Sequence, residues 1–549
     1  LNIVRNMKFK SFMTLCIAGA AVMSASAQTH VEGAEYYKAD QLENSKDLLN
    51  RALKNAGTDK SVANYYLGMI ALDENNRQEA AKYFGQGISA NPEYAYNYVG
   101  QGQIKLFSGD VKGAEADFKM ARKYSKKDPA LEIAIARAYH DVDPVKYEKQ
   151  ISKGVEKARR INMENPDIYV FEGDVLRGKK DIGGAAAKYE MAKNYASDFT
   201  AAYVKYANLF TQVNPDYAIR MLKDLLAVNP QSALGQRELA IAYYNKKDYA
   251  NASRQYDAYI NNPAHFKNDE SRYAFLLFYG QAYEKGYEYA TKLLKEDPKN
   301  FTAQRYQFMN ACQIPVMKDE LLPMAEALYK AHEANPKANQ FAPIDYTLIS
   351  QEFVTAKKTD EAIAVMQSAI KENPENPNFN KQLASLYVDA NDIAKASDAY
   401  AEYMKKVEPG YNDYIQQALY AYFAGRTDII SNPAEAKRYF GIATENANKA
   451  AAMSDTQYKP VKILADIAVA SAPEKDMKTI GAPLYEKAIK LLNAAPDPSR
   501  YKSDAAEIYS YLGNYYISVG DKTKAKEMFN EYLKVRPNDE AVRKFVGTL

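Results

Sequence analysis

The chain has no tryptophan, only two cysteines and only four histidines in 549 residues. His30, His140, His265 and His332 are scattered, and no H-E-x-x-H, paired-Cys or Cys/His spacing occurs, so no metal site is expected. One long apolar run exists, from Phe12 to about Met23; it is too short to span a bilayer, and none follows it. Charge of one sign is also lacking, with 72 Lys and Arg against 69 Asp and Glu, whereas a nucleic-acid binder usually carries a basic excess. Neither a nucleic-acid partner nor a membrane span is therefore expected. No G-x-S-x-G elbow occurs. The phosphate-loop lookalike from Gly173 to Lys179 has Lys180 where Ser or Thr is required and follows no strand. The chain is thus expected to be no enzyme, with no cofactor and no catalytic residue.

What is present is repetition and tyrosine. Ala80 and Ala114, Ala218 and Ala252, and Ala362 and Ala396 form pairs 34 residues apart. Four residues after each Ala stands a large side chain: Phe84, Phe118, Leu222, Tyr256, Met366 and Tyr400. Twelve residues before most of them stands a small one: Gly68, Gly102, Ala240, Ser350 and Ala384. A fixed period of this size marks a solenoid, in which each unit leans on its neighbours and the product is a long surface rather than a pocket. Residues three and four apart share a helix face, which gives each unit an apolar stripe. The small residue lets the first helix approach the second, and the aromatic fills the space beside it. Gly-Asp at 109–110 and 520–521 reads as a helix end followed by a helix cap. Pro92, Pro230, Pro374 and Pro537 mark the ends of second helices. Most of the 46 tyrosines occupy packing positions, but doublets such as Tyr36–Tyr37 must present two faces, leaving one member for a ligand.

The unit Tyr509, Leu512, Gly513, Tyr516, Gly520, Asp521, Ala525, Phe529, Tyr532, Pro537 resembles a tetratricopeptide repeat. The same frame recurs through Gly173, Ala185 and Tyr189 and across nearly all of the chain after residue 30. The resemblance implies an all-α tetratricopeptide-type α-solenoid, a superhelix of about fourteen antiparallel helix pairs at this period, closed by a short capping helix after Asn538. It also implies a concave groove lined by the first helix of each pair. Carried over by position, the groove residues are Arg137, Asp174, Arg177, Asn208, Arg237 and Tyr244. Arginines there suit carboxylate or peptide-backbone recognition. The family's clamp for acidic chaperone tails is not matched, since Val204 and Glu238 stand where Lys and Asn are needed.

Residues 1–27 are read as a signal peptide with a short upstream extension: Lys8 and Lys10, the apolar run, then Ala25-Ser26-Ala27 before Gln28. Leu15 before Cys16 departs from a lipobox, so a soluble periplasmic protein cleaved after Ala27 is expected rather than a lipoprotein. Its remaining Cys312 is expected to be a buried thiol. An N-terminal superhelix is assigned to 28–264, irregular helical repeats to 265–340, and a C-terminal array with its cap to 341–549. Insertions are expected at Arg426–Asn432 and Ser471–Asp476. The leading functional expectation is a periplasmic scaffold for protein or peptide partners, such as an outer-membrane or periplasmic complex in envelope assembly or secretion. The alternative is a receptor that captures a peptide or glycan for nutrient uptake.

Overall fold

The computed structural model describes residues 29–549, which form 29 α-helices and, among the described residues, no strand. The expected signal peptide, with Cys16 and the cleavage site, lies outside the described residues. The chain divides into two compact units between Ile314 and Pro315, so the irregular stretch 265–340 is shared between them.

The first unit holds eight antiparallel pairs. These begin with α1 (Thr29–Lys38) and α2 (Leu42–Ala52), α3 (Lys60–Asp73) and α4 (Arg77–Ala90), and α5 (Tyr96–Phe107) and α6 (Val111–Tyr124). Next come α7 (Pro129–Val142) and α8 (Glu148–Ile161), then α9 (Pro166–Gly178) and α10 (Ile182–Tyr195). The last three are α11 (Thr200–Phe210) with α12 (Pro215–Val228), α13 (Ala233–Asn245) with α14 (Tyr249–Ile260), and α15 (Asp269–Tyr279) with α16 (Tyr283–Glu296). A single helix, α17 (Phe301–Ala311), ends the unit.

The second unit opens with a 3-10 turn (Pro315–Glu320) and α18 (Leu321–Ala334). Its pairs are α19 (Pro343–Thr355) with α20 (Thr359–Glu372), α21 (Pro377–Asp389) with α22 (Ile393–Met404), and α23 (Tyr411–Asp428) with α24 (Pro433–Met453). They continue with α25 (Tyr458–Ala470) and α26 (Ala482–Asn493), then α27 (Lys502–Ser518) and α28 (Lys522–Val535), before the cap α29 (Glu540–Val546).

Each pair is locked by the contact that the repeat frame implies. A Cβ on Gly68 would fall 2.4 Å from the Phe84 ring, one on Gly102 2.4 Å from Phe118, and one on Gly173 2.5 Å from Tyr189. Gly513 stands in the same relation to Phe529, at 2.6 Å. Gly173 therefore serves helix packing within α9, and no phosphate loop exists there. Ala80, Ala114, Ala218, Ala252, Ala362, Ala396 and Ala525 are wholly buried, as the close approach of two helices requires. Ala240 and Tyr256, the corresponding residues of α13 and α14, are likewise wholly buried.

The turn inside a pair is built the same way in nine of the thirteen pairs. Gly109 and Gly520 take positive φ, and so do Asp40, Asn75, Lys180, Lys247, Gln281, Lys357 and Asn391 at the equivalent place. The next residue then starts the second helix. Asn76, Asp110, Asp181, Asp248, Asp392 and Asp521 each accept a backbone N–H from the first turn. A left-handed lysine is sterically unfavourable by itself. It persists here because the capped helix that follows must fold back onto its partner.

Two expectations need correction. Arg426–Asn432 is no inserted loop: α23 runs to Asp428 and α24 starts at Pro433, so the departure from the frame is helix lengthening to 18 and 21 residues. Ser471–Asp476 does lie in a loop, between α25 and α26. Cys312 is half-buried rather than buried, because α17 ends at Ala311 and leaves it at the helix cap.

Candidate binding groove

In the first unit the first helices of successive pairs face one concave side, and the α1–α2 hairpin closes across it. The turn Asp40–Gln41 reaches helices far along the chain. Lys205 on α11 donates to Asp40 at 2.7 Å and to Asp174 at 2.9 Å. Arg177 donates to Asp40 at 2.6 Å, and Arg137 to Asp174 at 2.9 Å. The Tyr189 hydroxyl adds a bond to Asp174 at 2.8 Å. Burial alone would raise the Asp174 carboxyl, but Arg137 and Lys205 outweigh it and hold it below the usual carboxylate range.

The far side of the turn is fastened equally. Gln41 donates to Glu238 at 2.6 Å and accepts from Arg237 at 3.4 Å. Arg51 reaches the carbonyls of His265 and Ala264, at 3.1 and 3.4 Å. Tyr36 meets the Phe266 ring edge-on at 5.4 Å. On α1 itself, Glu35 accepts from the Thr200 hydroxyl at 3.2 Å and Glu32 from the Ala233 amide at 3.4 Å. Those partners stand at the N-termini of α11 and α13. Burial, with Glu35 adjacent, pushes the Glu32 carboxyl up to about 8. Burial likewise pushes Glu35 up to about 7.

The structure gathers Arg137, Asp174 and Arg177 into one network and separates the other expected groove residues from it. Arg237 is no open groove charge: its side chain is 13% exposed and donates to Asp269 at 2.7 Å. Asn208 is exposed on α11 and does not line the concave cavity. Tyr244 packs on Tyr249 and Phe275, each ring 5.9 Å away. The arginines expected to hold a carboxylate of a partner already hold Asp40, Asp174 and Asp269 of this chain. Sequence reasoning missed Asp40 and Lys205, although a lysine between Val204 and Tyr206 in an otherwise apolar helix was a usable signal.

Beside the network lies a cavity of about 360 Å³. Tyr37, Tyr65, Tyr66, Tyr94 and Tyr96 form its aromatic wall. Their rings are in continuous contact: Tyr37 to Tyr66 at 5.3 Å, Tyr66 to Tyr65 at 4.9 Å, Tyr65 to Tyr96 at 5.5 Å and Tyr96 to Tyr94 at 5.4 Å. The Tyr36–Tyr37 doublet divides as its position requires, Tyr36 being buried against Phe266 while Tyr37 lines the cavity. Asp73 and Asp141 also line it. Burial and the neighbouring Asp141 push the Asp73 carboxyl up to about 6.

His140 lies 3.3 Å from Asp141 and edge-on to Phe171. Among the described residues no group of three or more His, Cys, Asp or Glu is placed to hold a metal ion, and no helix is long and apolar enough to cross a membrane.

Models of the tetratricopeptide repeat match residues 62–94, 208–270, 353–409 and 506–539. No curated protein matches the chain. Among solved structures, the C-terminal part of a TPR repeat-containing protein from Cytophaga hutchinsonii is 16% identical, with a TM-score of 0.38, covering 50% of this chain and 98% of that one. Yeast Tom70 is 14% identical, with a TM-score of 0.27, covering 96% and 99%. Pseudomonas aeruginosa PilF is 16% identical, with a TM-score of 0.27, covering 39% and 97%. The matched repeats fall in both units, and between and around them recur the same buried alanine, the same small residue under an aromatic ring and the same left-handed turn before the second helix; both units are built of tetratricopeptide repeats.

Proposed function

We propose that the chain is a non-enzymatic scaffold that holds a protein or peptide partner on the concave side of its first unit. The observation that carries this reading is the tyrosine-walled cavity there. Tyrosine offers rigid area with a polar tip at low conformational cost, the composition of recognition surfaces. The basic, apolar and A-x-A pattern of residues 1–27 supports export to a periplasm, where such a scaffold would serve envelope assembly or secretion. Affinity capture from crosslinked envelopes, comparing wild type with Tyr66→Ala, tests it. The same proteins should be enriched by wild type and depleted by the variant; equal recovery would remove the cavity from the reading. N-terminal mapping should find Gln28 first and no lipid, and a lipid on Cys16 would overturn the soluble assignment. The cavity's volume supports a second reading, a receptor for a peptide or glycan; a small ligand retained with no protein partner would favour it.

A further inference from the structure

The cavity has an unbalanced charge inventory. Its three basic side chains are all engaged: Arg137 with Asp174 at 2.9 Å, Lys205 with Asp40 and Asp174 at 2.7 and 2.9 Å, and Lys38 with Asp167 at 3.8 Å. Five carboxylates line the same space, and two of them, Asp73 and Asp141, have no Lys or Arg within ion-pair distance among the described residues. Asp141 has only the His140 imidazole at 3.3 Å. These two surplus carboxylates share the cavity with the five-tyrosine wall. A cation is attracted by the faces of such rings and by the unpaired carboxylates together, and both attractions strengthen where water is partly excluded. An acidic group would meet the opposite field, with the nearby arginines already committed.

We propose that the cavity accepts a basic side chain, Lys or Arg, from an extended segment of the partner protein. The proposal rests on the reading of the concave side as the binding surface and adds the chemistry of what enters it. The volume, about 360 Å³, suits one side chain and its flanking backbone, at the small end of ligand pockets. Specificity comes from charge: a neutral residue of the same shape would fill the space and leave Asp73 and Asp141 unpaired.

The test uses a fluorescein-labelled Ala-Ala-Arg-Ala-Ala peptide and its citrulline analogue, which keeps the shape and loses the charge. Anisotropy titration of the mature protein should show the arginine peptide binding at least tenfold more tightly than the citrulline one. Asp73→Asn with Asp141→Asn should abolish that difference, with helical circular dichroism unchanged, since the change is isosteric and neither carboxylate holds a Lys or Arg among the described residues. Equal binding of the two peptides to wild type overturns the proposal, as does no binding of the arginine peptide, or a preference that survives in the double variant. If the envelope capture is sensitive to Tyr66→Ala while the arginine peptide fails to bind, only the basic-side-chain inference falls and the scaffold reading stands.

Discussion

Each unit buries one lysine in a first helix of a pair, and the two lysines show how differently the units are held. Lys462 in the second unit is 7% exposed and pairs with Asp466 one turn away at 2.9 Å and with Glu507 of the next pair at 2.8 Å. Burial would lower that ammonium, but the two carboxylates hold it above its ordinary value. Lys205 in the first unit is 2% exposed, and one of its partners, Asp40, lies 165 residues away. The second lysine reinforces a contact between neighbours, as a solenoid needs. The first closes a hairpin across five pairs. A stack held only by neighbours leaves its concave side open, whereas closure gives the first unit a walled cavity.

The sharpest way to break this comparison is to remove each lysine. Lys205→Ala leaves Asp40 to Arg177 alone and takes one of two cations from the buried Asp174, and breaking a buried pair costs up to about 3–5 kcal/mol. Hydrogen exchange should rise at 29–58 and 200–210 together. Lys462→Ala should cost less, because Glu507 is largely exposed and can hydrate, and its effect should stay within 458–518. Equal and local effects of the two changes would show that the hairpin closure contributes little.

The closure should also depend on pH. Glu32 and Glu35 are raised in the folded state, to about 8 and about 7, from an ordinary 4.5. Between these limits the folded hairpin binds more protons than the unfolded one, so the contribution is full below about 4.5 and is lost as pH rises through 7 and 8. Asp198 adds to the rise at Glu35, while Lys38 and Thr200 oppose it. The total is on the order of a few kcal/mol. Exchange protection of 29–58 should fall between pH 5 and 9 while that of 502–535 does not. Glu32→Gln with Glu35→Gln should flatten the profile, and a steep profile in that variant would assign the pH effect elsewhere.

A packing change sharpens the same contrast. Gly513→Leu drives a side chain into the Phe529 ring, and overpacking of this kind costs about 1–3 kcal/mol. The loss should centre on 502–549, because the last pair has a neighbour on one side and only a short helix on the other. Unchanged exchange there would count against the repeat frame.

The smallest effect is expected for Arg177→Glu. Its side chain is 39% exposed, and partly exposed ion pairs typically contribute under about 1 kcal/mol. Thermal midpoint and circular dichroism should barely change, in contrast to Lys205→Ala, which touches the same Asp40. A large loss would mean that the two cations hold Asp40 as one cooperative unit.

The amino-acid sequence by itself determined the helix pairs, their period and the contact inside each pair. All of these are local, joining residues such as Gly68 and Phe84 that lie sixteen apart and so leave a periodic mark. It also marked Tyr36–Tyr37 as a doublet with one face to spare. It did not disclose the left-handed turns at Lys180, Lys247 and Lys357, because lysine carries no turn signal and takes that conformation only when the following helix imposes it. Nor did it disclose that Arg177 and Arg237 are spoken for, since the residues that satisfy them, Asp40, Gln41 and Asp269, are recognisable only once distant helices are brought together. Only tertiary structure decided the site. A cavity between six pairs depends on small rotations accumulated from pair to pair, and no single repeat encodes that sum.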